Sequence, residues 1–295
     1  MKLAGLQGLN PVAALAGYGL LWVLPEAKLG WAHGSLTAQL EGFSSLDEVL
    51  LRLGEHMRGR SQAPELKLRA EVKGLTEEDY VKALETFPPE WVACLWAETP
   101  EGIRPTDLCL TAGQQKFLGM ARELAEALDP AQVGEARVRA AFEEALVGPW
   151  TYQDECHSWG WDPVAERNAA TTKVDPGKTQ PKGVAGAYWL AFEALPLLPM
   201  LGGRTVGMHA DGRAWSWLLS HRPLDRAATR TLLWTASTLD EAELRALDVE
   251  RWSSRIARSG RYGWLQPAAR TRSERAFPGG FALNRGTVFE RKGHG

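Results

Sequence analysis

Two kinds of residue in this sequence could do chemistry. The first is a cluster of Asp154, Cys156, His157, Asp162 and Asp175. Carboxylates and an imidazole can hold a divalent metal and activate water, as metal-dependent nucleases do. The spacing follows no coordination motif, and Asp162–Pro163 and Asp175–Pro176 are also ordinary turn formers. His209 stands beside Asp211 and would need a serine or cysteine brought in by the fold to act as a base. The chain has no Walker loop, no G-x-G-x-x-G, no H-E-x-x-H, no C-x-x-C and no G-x-S-x-G. Cys94, Cys109 and Cys156 are widely spaced, which predicts no zinc site and no redox pair and suits a reducing compartment. No catalytic residue, metal or cofactor is therefore expected.

The second kind suits a nucleic-acid backbone. Lys173, Lys178 and Lys182 lie among Thr171, Thr172, Thr179, Gln180 and several glycines. Lysines, hydroxyls and backbone N–H groups freed by glycine fit phosphate contact, and they also fit a solvated loop. Further on, Trp252, Tyr262, Trp264, Phe277 and Phe281 alternate with Arg255, Arg258, Arg261, Arg270 and Arg272. Rings between arginines can stack bases while guanidinium groups hold phosphates, or the rings can bury themselves and leave the arginines for a subunit contact.

These groups need elements to position them. A strand is predicted near Leu3 to Leu9, then a helix capped by Asn10 and opened by Pro11, in which Gly17 and Gly19 allow close approach to a neighbour. Trp31 to Phe43 reads as a strand or hairpin. Ser45 with Glu48, Thr76 with Asp79 and Thr238 with Glu241 mark helix starts, and Pro88–Pro89 ends the second of them. Glu90 to Thr99 and Thr106 to Thr111 read as strands. Gln114 to Leu128 is periodic at helical spacing, and Pro130 opens another helix with Val133, Val138, Phe142, Ala145 and Leu146 inward. Residues 151–183 read as a loop, Val184 to Leu198 as a buried helix broken by Pro196, and 204–219 as a hairpin turning at Asp211–Gly212. The mixture predicts an α+β fold with mixed antiparallel sheets and packed helices, rather than a βαβ series.

Composition bounds the rest. The 295 residues carry 44% hydrophobic and 24% charged side chains, which excludes disorder and leaves room for a large core. Thirteen Trp against five Tyr offer either core bulk or flat surfaces for bases. The net charge of −2 hides an asymmetry. Residues 251–295 hold ten Lys or Arg and two acids, net +8, so residues 1–250 hold 24 and 34, net −10. Two parts are expected: a 1–250 α+β body and a 251–295 basic aromatic segment packed on it or extending from it. A basic end on an acidic body suits an anionic partner, its own body or an acidic subunit. The longest apolar run, Pro11 to Leu24, is 14 residues, too short to span a bilayer and without signal-peptide flanks, so a cytoplasmic protein is expected.

The order of segments resembles the large subunit of type I CRISPR effector complexes (Cascade), most of all the short type I-U and I-G versions. Such proteins open with a strand and an N-P-x-x-x-hydrophobic helix ending in G-hydrophobic-hydrophobic, here Asn10–Pro11 through Gly19–Leu20–Leu21. A Gly-Gln-Gln patch leads into a helix at Gly113–Gln114–Gln115–Lys116–Phe117. Trp161–Asp162–Pro163, Glu166–Arg167, Ala169 and Asp175–Pro176 follow, then the helix Gly183 to Leu195 and a Trp-rich stretch from Trp215 to Leu224. The likeness runs from residue 10 to about 225, and the helical bundle that ends the longer members is not evident. It implies a non-catalytic subunit at the crRNA 5′ end, partnered by other Cascade subunits, crRNA, double-stranded target DNA and a helicase–nuclease. Such a subunit reads the protospacer-adjacent motif while guide pairing reads the target. On this likeness Gln114, Gln115 and Lys116 become candidates for base-edge or phosphate contact, since glutamine pairs bidentately with adenine. The competing expectations are a metal-dependent nuclease using the Asp154–Asp175 cluster and a scaffold that docks only on protein.

Overall fold

The computed structural model describes residues 1–68, 72–111, 116–165 and 181–270. Strands β1 (Lys2–Gln7), β2 (Lys28–Trp31) and β3 (Thr37–Glu41) form an antiparallel sheet in the order β1-β3-β2. Helix α1 (Pro11–Val23) leaves β1 as the sequence predicts. The Asn10 side chain accepts the Val12 N–H at 2.8 Å and Pro11 fills the first turn, where its missing N–H costs nothing.

The face pattern of α1 decides the architecture. It is apolar all round and buried from Pro11 through Leu21, so it must lie inside the molecule. Its partner is a second all-apolar helix. The chain reaches it through α2 (Leu46–Met57), α3 (Pro64–Lys67), α4 (Glu77–Thr86), α5 (Pro89–Leu95), α6 (Phe117–Ala127), α7 (Pro130–Val133), α8 (Glu135–Val147) and then α9 (Ala185–Glu193). Every residue of α9 is buried. The two helices meet backbone to backbone at Gly19, where an added Cβ would lie 1.8 Å from the Leu190 carbonyl oxygen. Gly186 repeats the device on the other side of α9, against Ala141 of α8. A 3₁₀ turn, Leu195–Leu197, carries Pro196 and ends the run.

A knot of buried charge lies at the end of α9. Glu193 takes the Arg60 Nε at 2.8 Å and lies 3.1 Å from His56 Nε2, while Arg60 also pairs with Glu65 at 2.6 Å and lies over the Trp91 and Trp189 rings. Burial alone would raise the Glu193 carboxyl, but Arg60 and His56 outweigh it and hold it below the usual range.

The remaining strands are β4 (Trp96–Thr99) with β5 (Gly102–Pro105), the two-residue pairs β6 (Asp154–Glu155) with β7 (Lys182–Gly183) and β8 (Met200–Leu201) with β9 (Arg204–Thr205), and a larger sheet of β10 (Ala214–Ser220), β11 (Val249–Ser259), β12 (Tyr262–Leu265) and β13 (Ala269–Arg270). Helices α10 (Arg226–Thr235) and α11 (Glu241–Ala246) connect β10 to β11. Antiparallel sheets and packed helices together make the fold α+β.

Several sequence expectations need correction. Residues 90–95, expected as strand, belong to helix α5 (Pro89–Leu95), because Pro89 starts a helix as readily as Pro88 ends one. Thr106 to Thr111 is not a strand. Its backbone groups find tertiary partners instead: Leu108 O accepts from Trp161 Nε1 and Leu110 O accepts from Gly263 N. Gly134, at φ +83°, separates α7 from α8, and Val133 faces outward rather than inward. The 204–219 hairpin shrinks to a turn with one bridge, Met208 to Trp215, because β9 pairs with β8 and β10 pairs along its length with β11. The last cap is two residues late: Asp240 with Glu243 forms the capping box, while Thr238 closes a 3₁₀ turn by donating to Thr235 O. At α2, Ser45 accepts from Glu48 N as expected, but the Glu48 carboxylate reaches Ser44. Helix α10, with its polar sequence, has no counterpart among the expectations.

Candidate nucleic-acid interface

The basic aromatic segment is built on β11. Its first half pairs with β10 in the register Trp217↔Trp252 and Ala214↔Arg255, and its second half pairs with β12 in the register Ala257↔Trp264 and Ser259↔Tyr262. The expected boundary at residue 250 thus falls within this strand, and residues 251–270 complete a sheet that β10 begins.

Strand periodicity then sorts the candidates. Arg255 shares one face of the sheet with Tyr262 and Trp264, whose rings stack at 5.9 Å between centroids. Arg255 is exposed and the two rings are half-buried. Arg258 is exposed on the opposite face, across from Gly263. Arg261 sits exposed in the tight turn between β11 and β12, which Gly260 makes possible at φ +59°. Arg270 lies across from Trp252 and pairs with Glu250 at 3.4 Å. Arg251, counted in the basic total, is a core residue. It is 2% exposed, donates to Ala236 O and Leu239 O at 3.0 and 2.8 Å, and lies 3.6 Å from Glu241.

The structure also says what this hairpin abuts. Gly263 N donates to Leu110 O at 2.8 Å and Leu265 N donates to Gly160 O at 2.7 Å. Gly160 packs so closely that a Cβ there would lie 2.3 Å from Gly263 O. Trp159, in the same turn, donates its indole N–H to Phe117 O at the start of α6. The hairpin, the start of α6 and the 158–161 turn therefore share one anchor. Lys116 is exposed immediately before α6 and makes no capping bond. Gln114, Gln115, Lys173, Lys178 and Arg272 lie outside the described residues. Lys182 is in β7. Its ammonium donates to Gln153 O at 3.1 Å and to Glu155 at 3.2 Å, which spends part of its charge.

Among the described residues, Asp154, Cys156, His157 and Asp162 form no group placed to hold a metal ion. Asp162 is fully buried and accepts from Tyr188 OH at 3.0 Å, Asn10 Nδ2 at 3.3 Å and Val164 N at 2.9 Å. Burial outweighs those bonds and raises its carboxyl above the usual range. Asp154 pairs with Arg137 at 2.5 Å and accepts from Ala185 N at 2.8 Å, where α9 begins. Burial pushes the Cys156 thiol up and lowers the His157 imidazole. Asp175 lies outside the described residues. His209 does gain a serine, Ser216, at 2.8 Å, but Ser216 is 3% exposed on β10. Eight of the thirteen Trp are core: Trp31, Trp91, Trp96, Trp159, Trp161, Trp189, Trp215 and Trp217. Trp252 and Trp264 are half-buried on the hairpin sheet.

The chain matches no protein-family model and no curated protein. Fold and site together define an α+β protein that displays an arginine–aromatic hairpin beside the start of a helix.

Proposed function

We propose that this chain is the non-catalytic large subunit of a type I CRISPR surveillance complex, of the short type I-U/I-G-like kind. It would read the protospacer-adjacent motif in double-stranded DNA, aid duplex opening and support recruitment of the helicase–nuclease. The order of segments from Asn10 to Leu224 suggests the family. The observation that carries the reading is the β11–β12 hairpin, where Arg255 shares a face with the stacked Tyr262 and Trp264 and the anchor is shared with the segment that starts at Lys116. A guanidinium beside two parallel rings can hold a phosphate while a base stacks. The excess of acids in residues 1–250 opposes DNA binding by the isolated chain, so the activity belongs to the assembled complex with crRNA and the other Cascade subunits.

The test is target-DNA affinity of the reconstituted complex, with and without this chain, on duplexes that differ only in the flanking motif. The expected result is motif-dependent binding that disappears when the chain is omitted. Equal, motif-blind binding by both assemblies would overturn the reading. Divalent-metal-dependent cleavage of DNA or RNA by the purified chain, lost in Asp162→Ala, would replace it with the nuclease.

A further inference from the structure

Three groups from distant parts of the sequence converge where the two main sheets meet. His33 lies in the turn between β2 and β3, His221 directly follows β10, and Asp248 directly precedes β11. The juncture is fixed by backbone. Leu29 and Leu224 exchange two hydrogen bonds of 2.9 Å, and His221 N donates to Asp248 O at 2.9 Å. The imidazole rings of His33 and His221 stack with centroids 3.8 Å apart, and His33 Nε2 lies 3.4 Å from Asp248 Oδ2. One ligand atom from each of the three lies within 4.8 Å of the others.

We propose that His33, His221 and Asp248 form a binding site for a divalent transition cation of the zinc class, which ties the β2–β3 turn to the β10–β11 sheet. Tetrahedral zinc with bonds near 2.0–2.1 Å holds its ligand atoms roughly 3.3 Å apart, which the His33–Asp248 separation already meets. His221 provides the second, independent observation. Its Nδ1 lies 2.7 Å from Trp31 O, an acceptor, so Nδ1 carries a hydrogen and Nε2 is the ring atom left for a ligand. An imidazole that donates its other N–H to a backbone carbonyl is the arrangement that orients metal-bound histidines. The Nε2 atom lies 3.5 Å from Glu250 Oε1, which also pairs with Arg270 at 3.4 Å. Glu250 is held by Trp252 Nε1 at 3.0 Å and by Arg270, so it stands outside the three-ligand group, and water would complete the coordination of the ion. Stacked rings cannot both aim at one ion. His33, whose side chain is 71% exposed, has the freedom to tilt out of the stack, while buried His221 stays fixed. Two imidazoles with a carboxylate select zinc-like ions over magnesium, which takes oxygen ligands.

The site stands independently of the proposed function. The full chain, stripped with a chelator, is titrated with Zn²⁺ by calorimetry, and Co²⁺ is added separately to read visible absorption from a low-coordinate ion. The variants are His33→Ala and Asp248→Asn. Asparagine tolerates the left-handed backbone of Asp248 at φ +60°. Both positions are solvent-accessible, and thermal unfolding without metal checks that the variants fold. The expected result is one Zn²⁺ per chain, no comparable uptake of Mg²⁺, a visible Co²⁺ band, and an affinity about tenfold or more weaker in each folded variant. Failure of the wild-type chain to take up one equivalent of Zn²⁺ would overturn the proposal. Unchanged uptake by both variants would also overturn it.

Discussion

Arg251 and Arg255 stand four positions apart on one strand and do opposite things. Arg251 supplies hydrogen bonds to two carbonyls and a charge to Glu241, all out of water. Arg251→Ala should cost roughly 3 kcal/mol of stability, since a buried charge and two carbonyls lose their partner. Arg255→Ala, at an exposed position, should stay within about 0.5 kcal/mol of wild type. Urea denaturation of the two variants measures both. Asp162 permits a pH prediction with a definite sign. Its carboxyl is raised in the folded state, so the contribution of its protonated form is fully present below the unfolded pKa of about 3.9 and is lost as pH rises through the folded value. Asp162→Asn removes that titration. Wild type should therefore lose stability relative to the variant as pH is raised from about 4 toward 7. Parallel pH profiles for the two proteins would contradict the raised carboxyl. The residue types alone raised a metal reading here, because Asp, His and Cys near Pro read alike whether they face solvent or core.

At the scale of elements, the pairing of α1 with α9 holds the interior together. Gly19→Ala would drive a methyl group into the Leu190 carbonyl, and backbone on both sides of a buried interface has little room to yield. A loss of roughly 3 kcal/mol or more is expected, read as a lower urea midpoint with unchanged slope. A variant as stable as wild type would mean that the helices do not approach at Gly19. This pairing was half legible. The Asn10–Pro11 start and the two glycines mark a helix built for close contact, but nothing local says that the neighbour is α9. Helix α5 was misread because Trp91, Val92, Cys94 and Leu95 suit a buried strand or a buried helix equally, and packing against the core decided between them.

At the scale of the molecule, the proposed function and the charge separation together predict how a reconstituted complex would respond to salt. Each exposed arginine that neutralises one phosphate should flatten the log–log salt dependence of DNA binding by roughly one unit when changed to Ala. Arg255, Arg258 and Arg261 should show this, and Arg270, paired with Glu250, should show less. Trp264→Ala should instead weaken binding by about 1–3 kcal/mol with the slope preserved, because stacking releases no counterions. Unchanged slopes for all the arginine variants in intact complexes would refute the nucleic-acid assignment. Complexes that dissociate would assign the same charges to a protein neighbour.

The sequence by itself determined what local chemistry controls. The α1 start, the Thr76 cap, the amphipathic α6, the α+β class and the −10/+8 division of charge all follow from side chains within a few residues of one another, or from counting. Tertiary structure decided which of several equivalent uses each residue takes. It buried Arg251 and exposed Arg255, spent Asp162 on Tyr188 and Asn10, paired β10 with β11 across two intervening helices, and brought His33 to His221 and Asp248. The reason is physical. Burial and long-range strand pairing are set by the competition of all segments for one core, and no window of local sequence contains that competition.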